Sequence, residues 1–203
     1  MRTSIACIIC FVLLSSCSKT KENADAKESA SQVIPPKDDE IRIIVEQTAA
    51  DTLKGSLKAK AMGSIGNVGI TVNYYSPAVR GRVIWGGLVP FDNVWVSGAH
   101  RATSVEFNHE VMIGGATIAP GKYALFTIPG KGEWIIIINK NWDQHMADSY
   151  DQKEDVVRVK VKPETEALNQ ERLRYVIETE SDKQGEIVLY WEKIEVSLPV
   201  FVL

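Results

Sequence analysis

The stretch LRYVIE at residues 173–178, followed across SDKQG (181–185) by IVLYW (187–191), decides the fold. Leu173, Tyr175 and Ile177 alternate with Arg174, Val176 and Glu178, and Ile187, Leu189 and Trp191 keep the same period of two. Side chains two apart share one face of a strand, so each run describes a strand with one buried and one wet face. The polar, glycine-containing link between them has turn chemistry.

The same reading extends in both directions. Ile70, Val72 and Tyr74 alternate with Thr71, Asn73 and Tyr75; Val157, Val159 and Val161 alternate with Arg158, Lys160 and Lys162; Ile194, Val196 and Leu198 close the series. Residues 134–138 form a continuous apolar run, which reads as a central strand covered on both sides. Gly114-Gly115 and Pro129-Gly130-Lys131-Gly132 fall between apolar runs as hairpin links. Residues 63–69 carry three glycines and read as a loop or bulge. Only residues 163–172 have helix-favouring composition, with Pro163 suited to a first turn. These signals predict an all-β chain, a jelly-roll-like antiparallel β-sandwich of nine or ten strands with at most one short helix. No internal repeat is visible.

The N-terminus reads differently. Arg2 precedes an apolar run over residues 5–14 and then Ser15-Ser16-Cys17. A charged start, a short apolar stretch and small residues before a cut make a secretory signal peptide over residues 1–16. The run is about half the twenty residues needed to span a bilayer. Leu14-Ser15-Ser16-Cys17 resembles the bacterial lipobox, in which the cysteine is acylated. The resemblance implies lipid attachment at Cys17 and a membrane partner through that anchor. Residues 17–40 are polar, mixed in charge and free of apolar period, which predicts a flexible tether reaching roughly 25 Å. Ser18 after the cysteine matches the sorting pattern of outer-membrane lipoproteins, with the face of that membrane left open. Residues 41–203 remain for one folded domain.

Charge and cysteine usage exclude several function classes. Removing residues 1–16 takes away one charge, Arg2, so the formal net charge moves from −3 to −4. No dense Lys/Arg cluster exists, and no nucleic-acid partner is expected. Cys7 and Cys10 lie in the leader and Cys17, the only other cysteine, stands at the cut with its sulfur committed to lipid, leaving the domain without a thiol nucleophile or thiolate ligand.

From Tyr75 onward the chain resembles a known family. The matching pieces are Tyr75-Ser76-Pro77, Arg80-Gly81-Arg82, the run Ile84-Trp85-Gly86-Gly87-Leu88-Val89-Pro90, Val94-Trp95, and Gly98-Ala99 with Ala102-Thr103. Pro120-Gly121, Tyr123, the run Leu125-Phe126-Thr127-Ile128-Pro129-Gly130, Trp134 and Asn139-Lys140 follow, with weaker matches at Trp142, Tyr150, Asp155, Arg158 and Pro163. The ordered string is similar to the bacterial lipoproteins grouped as domain of unknown function 2911, over about residues 69–199. The resemblance implies a compact β-rich domain behind a lipid tether and supplies no reaction. Members usually carry Asn-Glu where this chain has His100-Arg101, so a carboxylate mechanism at that point would not transfer.

No catalytic or cofactor motif is complete. His109-Glu110 lacks the second histidine of the zinc-protease helix, since Ile113 stands there, and the segment reads as a strand. The glycines at 63–69 lack a following Lys-Ser/Thr and precede a strand. Ser97 lacks the first glycine of a nucleophile elbow. The acidic stretch at 143–155 does not fit a calcium loop. No cofactor and no metal are expected.

The richest segment is 80–103, which holds Arg80, Arg82, Trp85, Trp95, His100, Arg101 and Thr103 among glycines and prolines. Arginine forks grip carboxylate or phosphate, and tryptophan faces suit sugars and other rings. This predicts a binding surface for a small-molecule, glycan or protein ligand on a non-catalytic envelope module. The competing reading places both tryptophans in the core and sets the arginines to capping strand edges or pairing with carboxylates. Two further functions stay open: a hydrolase using Glu106 with His100 or His109, and a purely structural envelope protein.

Overall fold

The computed structural model describes residues 40–203. The expected leader, most of the tether and Cys17 lie outside the described residues. Ten strands form: β1 Leu57–Ile65, β2 Val68–Ser76, β3 Thr103–Phe107, β4 Val111–Ile113, β5 Ala116–Ile118, β6 Gly121–Ile128, β7 Trp134–Asn139, β8 Asp155–Val161, β9 Glu164–Ser181 and β10 Gln184–Val202. A single 3-10 turn, Gln152–Glu154, precedes β8. One sheet has the order β1-β2-β3-β6-β7-β8 and the other β5-β4-β10-β9, every named pairing antiparallel. The chain is the β-sandwich that the period-two pattern predicts. Among the described residues no helix is long and apolar enough to cross a membrane.

The alternating residues face where the pattern puts them. Val68, Ile70, Val72 and Tyr74 on β2 are buried, as are Leu173 and Tyr175 on β9 and Ile187, Leu189 and Trp191 on β10. The apolar run of β7 is covered on both faces: Trp134, Ile136 and Ile138 face the other sheet, and Ile137 is also fully buried. Among the described residues two sheets enclose one buried core, the two layers that such a fold requires. The loop or bulge expected at 63–69 is instead a two-residue hairpin turn, Gly66-Asn67, between the paired Ile65 and Val68, with Gly63 in β1 and Gly69 in β2. Gly66 has φ +55°, and a Cβ there would lie 2.3 Å from the Asp182 carbonyl, so only glycine fits.

Residues 163–172 correct the helix expectation. They enter β9, where Glu164, Thr165 and Gln170 pair with Glu195, Ile194 and Glu192 of β10. Helix preference is worth only tenths of a kcal/mol per residue, and a ladder against an already committed strand outweighs it. Register shifts around Glu192, which has φ +56°, mark a bulge that bends β10 so that its last residues reach β4.

Residues 40–55 have no regular structure yet are bound to the domain. Arg42 donates to the Lys58 carbonyl at 3.0 Å and accepts from the Lys60 N–H at 2.8 Å, running parallel to β1 along its free edge. Three consecutive residues of β9 hold the rest. Gln170 takes the Gln47 N–H and donates to the Val45 carbonyl, and the Glu171 N–H bonds the Gln47 carbonyl at 2.7 Å. Arg172 is buried, ion-paired with Asp51, and donates to the carbonyls of Leu53, Gly55 and Ser76. The two side chains of that pair are 2% and 5% exposed. Burial pushes the Arg172 pKa down from its usual value, with the nearby Arg42 charge adding to it.

Removing one partner of a buried pair strands the other charge, at a cost of about 3–5 kcal/mol. Asp51→Ala is therefore expected to lower the unfolding free energy by about that amount in urea titration. A loss below about 1 kcal/mol would place the pair with ordinary surface bridges instead.

The outer face of the β9–β10 sheet carries a second electrostatic feature. Glu195 lies opposite Glu164, with Glu166 and Glu178 nearby. Burial, then the hydrogen bond and charge of Glu166, raise its carboxyl from 4.5 to about 7. The folded chain thus keeps a proton that the unfolded chain releases, so stability falls as pH rises from about 4.5 to 7. Glu195→Gln is expected to flatten that slope in pH-dependent melting and to raise Tm at pH 8 but not at pH 4. An unchanged slope would assign the pH dependence elsewhere.

Candidate functional site

The segment 80–103 does not open onto one pocket. It closes one end of the sandwich. Trp95 exchanges main-chain hydrogen bonds with Thr127 at 2.8 and 3.0 Å, which adds a rung to β6. Trp85 meets Trp95, Trp134 and Trp191 at ring-centre distances of 5.8, 4.8 and 5.7 Å, and Trp95 stacks on Trp191 at 5.7 Å. Four of the five tryptophans thus form one interior cluster. Beside it the Ser97 carbonyl accepts from Thr103 at 3.0 Å and from Tyr175 at 2.9 Å, while Ser97 Oγ bonds Thr127 at 3.0 Å. Burial holds the Tyr175 hydroxyl far above its usual pKa, so it serves as a donor. A Cβ on Gly98 would stand 2.8 Å from the Thr103 hydroxyl, so this hub requires glycine.

The expected binding residues therefore separate. Trp95 and Thr103 are buried and Trp85 is half-buried in the cluster, out of reach of a surface ligand. The forks of Arg80 and Arg82 are occupied by main-chain carbonyls: Arg80 donates to Leu53, and Arg82 to Ala78 and Val79. The reading that made the tryptophans core and the arginines caps or carboxylate partners describes Trp85, Trp95, Arg80 and Arg82, and Arg101 too pairs with a carboxylate, Asp143. Arg101 and His100 nevertheless lie at the surface.

His100 is the centre of a three-residue turn, with φ +62° and the Arg101 N–H bonded to the Ala99 carbonyl at 2.7 Å. Such a turn is strained in a non-glycine residue and needs support from its surroundings. Residues 144–146 give that support: the Ala102 N–H bonds the Gln144 carbonyl at 3.1 Å, and the Met146 N–H bonds the His100 carbonyl at 3.0 Å. The turn projects Arg101 over the outer face of the six-stranded sheet, where it pairs with Asp143. His100 packs edge-on against Tyr75 at 5.1 Å.

Here lies a groove of about 240 Å³. Its floor is the wet face of the central strands: Lys58 opposite Tyr75, Asn73 opposite Ser104, and Lys122 of β6. Ile41 makes one wall, and Arg101, Trp142 and Asp143 the other. Lys122 Nζ stands 3.9 Å over the Trp142 ring, which is 37% exposed. Three cations face one carboxylate there, on a chain whose overall formal charge is −3. Cations beside aromatic faces favour an anionic, flat ligand. Lys58, Tyr75, Lys122 and Trp142 were not legible as a set, because only strand register brings them together.

A second hollow of about 220 Å³ lies on the other sheet, lined by Glu46, Glu166, Glu192, Arg174 and Tyr190 among others. Its single cation is engaged: Arg174 lies 4.5 Å from the Tyr190 ring and 3.9 Å from Glu46.

The residues considered for catalysis do not assemble. Glu106 faces solvent opposite Lys122. His109 bonds Asn108 at 2.9 Å beyond the end of β3, and His145 bonds Asp148 at 2.9 Å. Among the described residues no group of three or more His, Cys, Asp or Glu side chains is placed to hold a metal ion.

No curated protein and no solved structure is significantly similar to the chain. A family model described as "Protein of unknown function (DUF2911)" matches residues 56–200, from the start of β1 to near the end of β10. The match begins ahead of the motif string that starts at Tyr75 and takes in β1 to β9 and most of β10, with the strap at 40–55 just outside it. By that match the chain belongs to the DUF2911 family.

Proposed function

We propose that this protein is a lipid-anchored, non-catalytic binding module of the bacterial envelope, and that the groove beneath Arg101 and Trp142 takes a small anionic ligand with a flat ring or sugar face. The observation that carries the reading is the convergence of Lys58, Lys122 and Arg101 with the rings of Tyr75 and Trp142 on one concave face. The volume of about 240 Å³ suits a molecule of one ring rather than a polymer. Anchoring rests on the lipobox-like Leu14-Ser15-Ser16-Cys17 after a short apolar run. Of the expected ligand residues, Arg101 contacts the ligand and His100 positions Tyr75; Arg80, Arg82, Trp85, Trp95 and Thr103 hold the scaffold. The outer membrane is the proposed address, through the acyl chains on Cys17.

Two experiments test this. In a thermal-shift screen of aromatic carboxylates and sugar phosphates, at least one class is expected to stabilise the domain. Trp142→Ala and Lys58→Ala should each weaken that ligand about tenfold, whereas Arg82→Ala should leave its affinity within about twofold. A shift indifferent to the groove substitutions would refute the site. Separately, cells fed an alkyne-tagged fatty acid should label the wild-type protein and not Cys17→Ser. An unlabelled wild-type chain would refute the anchor.

A further inference from the structure

The groove beneath Arg101 has little charge to spare. Arg101 pairs with Asp143, and the Lys122 ammonium lies over the Trp142 ring. Of the groove's cations only Lys58 has neither a carboxylate nor a ring against it among the described residues. Lys58 also lines a second hollow, of about 310 Å³, where the strap runs into β1. Arg42 and Lys54 line it as well, with Glu40 and His100. Among the described residues neither Arg42 nor Lys54 has an ion-pair partner. Arg42 lies near enough to the buried Arg172 for the two charges to repel, so an anion beside Arg42 relieves both.

Groove and hollow adjoin. Lys58 belongs to both. Ile41, a wall of the groove, stands in the chain between Glu40 and Arg42 of the hollow. Tyr75 of the groove packs against His100 of the hollow at 5.1 Å, and Arg101 of the groove is the next residue. Their linings differ in kind. The groove offers ring faces at Tyr75 and Trp142, whereas among the described residues the hollow has no aromatic side chain but His100. Arg42, Lys54 and Lys58 against Glu40 leave the hollow two positive charges in excess. A phosphomonoester carries about −1.5 to −2 at pH 7, and a carboxylate a single negative charge. The excess therefore matches a phosphate, whose oxygens lysine ammonium groups meet as point charges.

We propose that the ligand is a single-ring sugar phosphate whose ring lies in the groove with Tyr75 and Trp142 and whose phosphate occupies the hollow of Arg42, Lys54 and Lys58. This deepens the reading of the groove as a binding site and rests on it. Lys58 stands where ring and phosphate meet, since it lines both hollows. Two of the three phosphate cations, Arg42 and Lys54, come from the strap, outside the stretch that the family model matches. An aromatic carboxylate fills the groove alone and leaves the charge of the hollow unmet, so it binds more weakly than the sugar phosphate.

Isothermal titration calorimetry of the full-length protein in detergent tests this, with glucose 6-phosphate and benzoate as probes. Glucose 6-phosphate should bind more tightly than benzoate. Lys54→Ala and Arg42→Gln should each weaken it about fivefold, the worth of one solvent-screened charge contact, and so shrink its advantage. Lys54 is exposed, and Arg42 holds β1 through its main chain, so both variants keep the fold, which circular dichroism and Tm verify. Neither residue belongs to the groove, so two failures read differently. If Trp142→Ala weakens glucose 6-phosphate while Lys54→Ala and Arg42→Gln do not, the hollow holds no phosphate and the proposal is overturned, with the groove reading intact. Benzoate that binds in a Trp142-dependent way, with no binding of glucose 6-phosphate, has the same meaning. Glucose 6-phosphate binding indifferent to Trp142→Ala, or no binding of either probe, overturns the proposal and the groove reading together.

Discussion

Arg172 dictates how residues 51–55 lie ahead of β1. A guanidinium taken out of water must find an opposite charge and acceptors for its remaining N–H groups, or the fold loses several kcal/mol. Asp51 and the carbonyls of Leu53, Gly55 and Ser76 meet that demand, and three of the four come from residues 51–55. Gln170 and Glu171 extend the same hold to Val45 and Gln47. A strap without a regular hydrogen-bond ladder is thereby fixed along β1. Its placement sets Ile41 as a groove wall and bridges Arg42 to β1, the edge strand of the larger sheet. The groove wall follows from one buried charge.

The opposite division of labour holds in the long segment between β2 and β3. Its composition resembles a recognition loop, yet its work is to seal the sandwich. Indole rings bury more area than any other side chain, and in edge-to-face or offset-stacked arrangements they fill space that aliphatic residues leave at a sheet corner. Trp85 and Trp95 complete a cluster begun by Trp134 on β7 and Trp191 on β10. The Ser97 carbonyl then ties this cover to β3 and β9 through Thr103 and Tyr175. Only at His100 does the chain turn outward. The strain of that turn is offset by bonds to residues 144–146, and the result is a fixed Arg101 beside Trp142.

How much of this was legible in the sequence follows from how local each signal is. Strands with one dry face announce themselves within six residues, so 70–75, 157–161, 173–178 and 187–191 were readable, as were the hairpin links at 114–115 and 129–132. Residues 163–172 misled because glutamate, alanine, leucine and glutamine favour helices locally, while β10 decides the matter from more than twenty residues away. The groove was hidden for the same reason. Lys58, Tyr75, Ser104 and Lys122 are unremarkable on the wet faces of four strands until register aligns them. Arg172 carried no local mark of burial, since its partner Asp51 lies 121 positions earlier in a segment with no period at all. The arginines and tryptophans of 80–103 were visible as a cluster, but their direction, inward or outward, depends on contacts with β6, β9 and β10.

Amide hydrogen exchange is the most direct examination of the buried Arg172–Asp51 pair as the anchor of the strap. In the wild-type domain the N–H groups of Arg42 and Lys60, which bridge strap and β1, should exchange slowly. In Asp51→Asn both should lose protection at least tenfold, while amides in β6 and β7 stay protected in the native state. If Arg42 and Lys60 remain as protected in the variant as in the wild type, the strap is held by something other than that ion pair, and the account of the groove wall fails with it.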